Sequence, residues 1–560
     1  MKKRTGLVCL TAALLLLFVP GTLLAAPQGK ATAKSSDLNL KLYGEQKMYP
    51  NFMTNADFND NQTPYDYVLD ESGAMDEYSI RSQSRIGIQG NGVNWSFNTI
   101  LEGDFNLNQA NADHVTAGDS SVMQINAEDF GIEKLKYTYD FEDSGVPVTL
   151  KAGWFDEYLD IETGGLLFGD DHPTIGLYGN TQGVSWKIFH MLIDDKIAVK
   201  SGGEDTLNQQ DRRAGQHALG GFPTLDSDDE DWYVHAARAG ISKTFRFMGG
   251  ISNLKFNPIY AFSDNRAKDA QTHYAGLQMH GKLANITPKA EFIYAYGAKE
   301  DYQPAGKDAD IRAYAAHLAL QSNIDTKFKP YVGGNYVTGD DDANDDEINA
   351  FNSITNISRW TPTFGGFPRK KNYQGMENAF IYRYVPVLGS FLYSNTPGGL
   401  GQISALEADP YDGYGGAFNT SSATSPGMKN LGIGAEGDIK KLSYKAQFRY
   451  FWFEDTGALE DVAEKHNAHY LQQDGESPIA DDNLKYTKDL NPDIDNEMGW
   501  EADFLLSYNF NSHFSLGNLV SVFAPGQGIQ DYQESLYVNR NYGKFDEIAY
   551  QDTISMIWSF

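Results

Sequence analysis

Apolar and polar residues alternate along much of this chain with a period of two, the spacing of a strand whose two faces meet different surroundings. Val93, Trp95, Phe97, Leu101 and Phe105 share one phase, and Asn94, Ser96, Asn98, Glu102 and Asp104 share the other. The pattern returns at 441–454, with Leu442, Tyr444, Phe448, Tyr450 and Trp452 set against Ser443, Lys445, Gln447 and Arg449. It returns again at 496–509, with Met498, Trp500, Phe504, Leu506 and Tyr508 set against Glu497, Glu501, Asp503 and Ser507. Runs of this length exceed the ~5–6 residues of a typical soluble strand. They suit the ~9–11 residues that cross a bilayer at a tilt. In hydrocarbon every peptide group must be paired, so such strands must close into a barrel.

The pattern predicts eighteen strands, near 38–52, 77–90, 92–107, 129–141, 146–154, 183–193, 196–201, 231–246, 251–263, 272–283, 286–298, 310–321, 326–338, 428–438, 441–454, 496–509, 513–523 and 546–560. Short turns such as Asp194-Asp195, Ala284-Asn285 and Ile439-Lys440 alternate with long, polar, acidic connections, the longest being 339–427. Short turns on one rim and long loops on the other are the pattern of an outer-membrane barrel. The predicted fold class is therefore all-β, a transmembrane antiparallel β-barrel of eighteen strands, with sixteen as the alternative because 196–201 is short. An even count places both chain ends on the short-turn, periplasmic side.

Composition narrows the reading. Asp and Glu number 75 against 45 Lys and Arg, for a net charge of −30. Such a chain lacks the basic face that nucleic acid requires, so no nucleic-acid partner is expected. The single Cys, Cys9, excludes a disulfide framework, a Cys-based zinc site and haem attachment. Residues 1–26 have the form of a signal peptide: Lys2, Lys3 and Arg4, an apolar run to Leu24, then Ala25-Ala26. A short periplasmic segment, 27–37, would follow, and the barrel would occupy 38–560.

Barrels of ~16–18 strands leave an aqueous lumen, so inward charges become candidates for pore lining. These are Lys41, Lys47, Arg81, Arg85, Lys151, Lys327, Lys329, Lys445 and Arg449, with Glu102, Asp104, Glu291, Glu497, Glu501 and Asp503 on the same phase. Folding 77–107 about Gly90–Val93 sets Arg81 opposite Glu102, a pair that can neutralise itself, and sets Arg85 opposite Asn98. His317 falls on the lumen phase and reads as a wall residue. In the long loop, Asp340, Asp342, Asn344 and Asp346 match the first alternate positions of a calcium loop. Asp345 then stands where a Gly is needed and Phe351 where the closing Glu belongs, so a solvated acidic tip is the simpler reading. No cofactor is implied beyond a weak structural calcium at those four residues.

The end of the chain, with Phe560, Trp558, Met556 and Ile554 in one phase, resembles the last strand of Gram-negative outer-membrane barrels. The resemblance implies that Trp558 and Phe560 form the signal read by the barrel assembly machinery. It also implies an outer-membrane location among lipid and lipopolysaccharide. The basic run Arg369, Lys370 and Lys371 is a candidate contact for the acidic segment at 340–347 or for lipopolysaccharide. Within that class, "YVTGDDDANDDEINAF" at 336–351 and the 501–526 hairpin ending in "FAPG" resemble alginate-export-type barrels. That resemblance implies an eighteen-stranded porin passing acidic solutes. No Gly-x-Ser-x-Gly, P-loop or His-Glu-x-x-His occurs, so no enzyme is expected. Two functions stay open. One is a passive channel for small hydrophilic or acidic organic solutes, as a single barrel or a trimer. The other is a barrel sheath around a multihaem cytochrome.

Overall fold

The computed structural model describes residues 39–54, 77–106, 125–142, 145–194, 232–247, 250–266, 269–302, 307–342, 345–354, 426–457, 459–461, 493–536 and 544–560. The signal peptide, the segment 27–37 and the run 369–371 lie outside them. The strands are β1 (Asn39–Thr54), β2 (Glu77–Asn91), β3 (Trp95–Asn106), β4 (Ile125–Asp140), β5 (Val148–Tyr158), β6 (Gly169–Thr181), β7 (Val184–Asp194), β8 (Trp232–Phe247), β9 (Gly250–Asn265) and β10 (Ala270–Lys282). They continue as β11 (Ile286–Tyr302), β12 (Lys307–Ser322), β13 (Lys329–Val337), the two-residue β14 (Glu347–Ile348), β15 (Met428–Ile439), β16 (Leu442–Trp452), β17 (Glu497–Asn509), β18 (Phe514–Pro525) and β19 (Ala549–Ser559).

Eighteen strands form the wall, each antiparallel to its neighbours, and the ring closes where β1 pairs with both β2 and β19. β14 lies parallel to the start of β12, where it pairs Glu347 with Asp310 beyond the end of β13. Closure leaves no unpaired edge among the described wall strands, as a span through hydrocarbon demands. Leu42, Ile251 and Ile433 are among many large apolar side chains exposed on the outer face, while Lys47, Asn257, Gln278, Arg449 and Ser521 are buried on the inner one. Apolar outside and polar inside is the reverse of a soluble sandwich and fits a lipid solvent.

The count of eighteen agrees with the sequence, yet two strands differ. The segment 169–181, predicted as loop, is β6. It hides in sequence because Asp170, Asp171, Pro173 and three glycines interrupt the alternation. Pro173 is tolerated because residues 169–173 pair only with β5, and pairing to β7 begins at Thr174. The β6–β7 hairpin turns at Gln182-Gly183, both at positive φ, the form of a tight two-residue turn. β7 then pairs directly with β8, which leaves no place between them for a strand at 196–201, itself outside the described residues. Asp194-Asp195 accordingly opens a long connection and is no short turn.

Three further placements correct the prediction. The β2–β3 register sets Arg85, not Arg81, opposite Glu102, and Arg81 opposite Asn106. The strands pair up to Asn91 and Ser96, so the turn is centred beyond the predicted Gly90–Val93, and the strands slide by an even number of residues with facing kept. Lys327 lies before β13, exposed in the turn between Ser322 and Lys329, and its carbonyl accepts from the Tyr444 hydroxyl at 2.9 Å. On β17 an irregularity at Gly499, φ 121°, shifts the phase. Met498 is thereby buried inside, and Glu497 stands opposite the outward Trp452 instead of in the lumen row.

Candidate functional site: the lumen and its inward loop

The connection 159–168 between β5 and β6 folds into the barrel. Leu159, Leu166 and Leu167 are fully buried and Phe168 nearly so, packed in one cluster with inward residues of the loop-side wall such as Met191, Val234 and Ala261. The wall there carries small and apolar side chains, which makes room for the loop. Asp160 organises the turn, accepting from the Leu167 N–H at 2.5 Å and the Phe168 N–H at 3.1 Å. Its carbonyl accepts from the N–H groups of Thr163 and Gly165. Burial raises the Asp160 carboxyl above its ordinary range, against the bonds that oppose the shift.

The loop reaches the wall at β8 and at β10–β12. Glu162 meets the Arg238 guanidinium at 2.9 Å. Burial pushes Glu162 up, but Arg238 outweighs it and holds the carboxyl below its ordinary value. Thr163 and Gly164 contact Glu291 on β11, and Gln278 on β10 donates to Thr163. A second segment packs on the first: the Ile354 N–H donates to the Leu167 carbonyl, and Tyr274 donates to the Asn352 carbonyl at 2.8 Å. The helix α1 (Gln527–Leu536) buries Ile529 and Tyr532 in the same cluster. The loop-side lumen is thus narrowed by an apolar collar carried on polar anchors.

Below the collar lies a band of paired charge. Lys187 reaches Glu157 at 2.6 Å, and the Tyr178 hydroxyl donates to the same carboxylate at 2.5 Å. Arg85 pairs with Glu102, which also accepts from Gln83 at 2.7 Å. Lys134 pairs with Asp156. Lys47 is buried between Gln83, at 2.8 Å, and Glu45, at 3.4 Å. Lys445 stands opposite Glu436 and Arg449 opposite Glu501, both basic side chains buried. Asp503 accepts from Gln447 and, at 2.6 Å, from Ser521. His317 is a buried wall residue in contact with Asn335 at 2.6 Å.

Arg85, Glu102, Lys445, Arg449, Glu501 and Asp503 therefore share the inner face, and Lys329 joins them opposite Glu436. Arg81 and Asp104 lie on β2 and β3, with side chains outside the description. Lys187, Arg238, Glu162 and Asp160 are not among the pore candidates of the sequence, whereas Glu291 is there on the lumen phase and is buried on the inner face. Arg238 had a legible signal, a lone cation in a row of small residues, Ala236-x-Arg238-x-Gly240. The loop residues had none, because nothing in 159–168 announces an inward fold.

The acidic run begins with a carboxylate that organises the mouth segment. Asp340 is buried and accepts from the N–H groups of Asp342 at 3.2 Å and Asn349 at 2.8 Å. Burial pushes its carboxyl up to about 7. Asp346 faces Lys307 at 2.6 Å. Asn344 lies outside the described residues, and among those described no three His, Cys, Asp or Glu side chains gather as a metal site.

Closed seam, apolar outer face and polar inner face together define the class: a transmembrane antiparallel β-barrel of eighteen wall strands. No protein-family model and no curated protein matches the chain. Among solved structures it is similar to Acinetobacter baumannii OccAB4, at 11% identity and TM-score 0.42, covering 93% of this chain and 98% of that one. It is also similar to Pseudomonas aeruginosa OccK2 (OpdF) in complex with glucuronate, at 10% identity and TM-score 0.41, covering 93% and 96%. A third is Pseudomonas aeruginosa OpdK with vanillate, at 9% identity and TM-score 0.42, covering 93% and 98%.

Proposed function

We propose that this protein is a passive diffusion channel of the Gram-negative outer membrane for small hydrophilic solutes, acidic organic ones preferred. The observation that carries the reading is the 159–168 loop, seated inside a closed barrel whose inner wall is polar and charged. A barrel built only as a wall has no use for a constricting loop. A solute passing beside the loop meets Lys187, Arg238 and Arg85, all with carboxylate partners close by. An incoming carboxylate can exchange with those partners without stripping a bare buried cation, which would be costly. Because cations and acids are nearly matched, net ion selectivity should be weak and solute preference should come from geometry.

Uronate polymers, the finer reading that the alginate-export resemblance suggests, fit less well than single small acids past so filled a lumen. The sheath reading is disfavoured by the same loop, which takes space that a cytochrome would need.

The test is reconstitution of the purified barrel in planar bilayers and in liposomes. Discrete conductance steps, with liposome swelling faster in small organic acids than in neutral sugars of equal size, are expected. Absence of any conductance from heat-modifiable, folded protein would reject the channel.

A further inference from the structure

The tip of the inward loop is held by an arrangement that solute passage does not itself require. Glu291 of β11 is 4% exposed. Its Oε2 accepts from the Thr163 hydroxyl at 2.6 Å and from the Gly164 N–H at 2.7 Å. Gln278, the cross-strand neighbour of Glu291, donates to Thr163 Oγ1 at 2.6 Å and accepts from Asn257 of β9 at 3.2 Å. The approach is close enough that a Cβ on Gly164 would overlap both the His317 Cβ and Glu291 Oε2. Only a glycine allows the backbone this near the wall.

The second oxygen, Glu291 Oε1, is buried with no hydrogen-bond partner among the described donors. The group that meets Glu291 from the loop is the fully buried carboxyl of Asp160. Two carboxyls in contact and away from water do not both ionise, and one retains its proton. That proton is the missing donor between them. The charged and titratable groups around the pair are accounted for on each packed element. Arg238 of β8 is taken by Glu162 of the loop, and His317 of β12 contacts Asn335 of β13. His280 of β10 and Lys289 of β11 face one another across that hairpin.

We propose that Glu291 is the positioning residue of the constriction: with Asp160 it forms a one-proton carboxyl latch that keeps the 159–168 loop docked and releases it when the proton is lost. This rests on the channel reading. The sign follows from Asp160, whose carboxyl is raised by burial in the docked state. A raised acid binds its proton more tightly when docked, so docking is favoured at low pH and weakens as pH rises through the raised value.

The experiment uses the whole barrel in planar bilayers, titrated from mildly acidic to alkaline pH, with heat-modifiability confirming each variant's fold. Wild type should shift to a higher conductance as pH rises. E291A should show that higher level at every pH. E291Q, whose amide donates permanently to Asp160 while its carbonyl accepts from Thr163 and Gly164, should keep the low level and lose the pH dependence. E291A with the wild-type conductance and pH profile would overturn the latch.

A second readout does not depend on conductance. Leu166→Cys, on the buried loop, should resist a water-soluble thiol reagent at mildly acidic pH in wild-type and E291Q backgrounds and react in E291A. Equal protection in all three would overturn the latch. Silence in the bilayer together with this labelling pattern would reject the channel alone.

Discussion

Arg449 is 1% exposed in a wall that crosses a membrane, and its position follows from a phase rule. On the outer face an Arg would cost about 2–4 kcal/mol near the midplane, so the strand that carries Trp452 outward must carry Arg449 inward. Once inside, the register supplies Glu501 on the adjacent strand. Removing one member of a buried ion pair leaves the other uncompensated and costs about 3–5 kcal/mol, whereas replacing both with apolar groups often costs little. E501A should therefore lower the stability of the folded barrel by about that amount, and the R449M/E501L double variant should recover much of it. Chemical unfolding in lipid vesicles measures both. Equal losses in the single and double variants would show that the two side chains are not coupled. Facing was legible in sequence at this scale because period two alone sets it. Pairing was not, since the even slide of the β2–β3 register changed Arg85's partner without disturbing any face.

At the scale of elements, strong alternation such as that of β16 and β18 gave strand limits within a few residues, while β6 was lost to its Pro, Asp and Gly content. The inward loop was illegible for a different reason. Its fold depends on what the far wall offers, and Glu291 lies 128 residues from Thr163 in the chain. The mouth segment after β13 behaves likewise, for its acidic run reads as a solvated tip or a weak calcium site, and the buried cap at Asp340 is not visible in it. Asp340 holds two peptide N–H groups that no alternating pattern could reveal. D340A leaves both donors without that acceptor, which costs about 1–3 kcal/mol for each buried group. Hydrogen exchange should accelerate at Asp342 and Asn349 while the strands stay protected. Because the Asp340 carboxyl sits near about 7, above its ordinary value, the folded segment binds the proton more tightly. Its contribution is fully present in acid and is lost as pH rises through about 7. Protection factors at those two amides, taken relative to the base-catalysed intrinsic rate, that do not fall as pH rises to about 7 would contradict this.

For the whole molecule the decisive event is closure, since a barrel one pairing short exposes two edges to hydrocarbon. The seam is β1 against β19, and its last rung is Phe560, whose N–H donates to the Gly44 carbonyl at 3.0 Å and whose carbonyl accepts from the Gly44 N–H at 3.2 Å. A Cβ on Gly44 would overlap the Phe560 ring, so the ring lies directly on the glycine and covers backbone that would otherwise be bare. Aromatic cover of a glycine in a neighbouring strand is a recognised device for fixing sheet register. Phe514 stacks on Trp558 with ring centroids 5.0 Å apart, extending the girdle across β18 at the same rim. Phe560 thus has a packing role at the seam that is separable from the proposed role as an assembly signal. F560A keeps the backbone rung and removes the ring, so the purified variant should refold in detergent with a stability loss of about 1 kcal/mol, the worth of an aromatic contact. If Phe560 is also read by the assembly machinery, the same variant should fall much further in the outer membrane of cells than in the refolding assay. Gly44→Val tests the packing alone: it should displace the ring and destabilise the purified barrel while leaving the terminal residues intact. A purified Gly44→Val barrel as stable as wild type would show that the ring over Gly44 does not secure the seam.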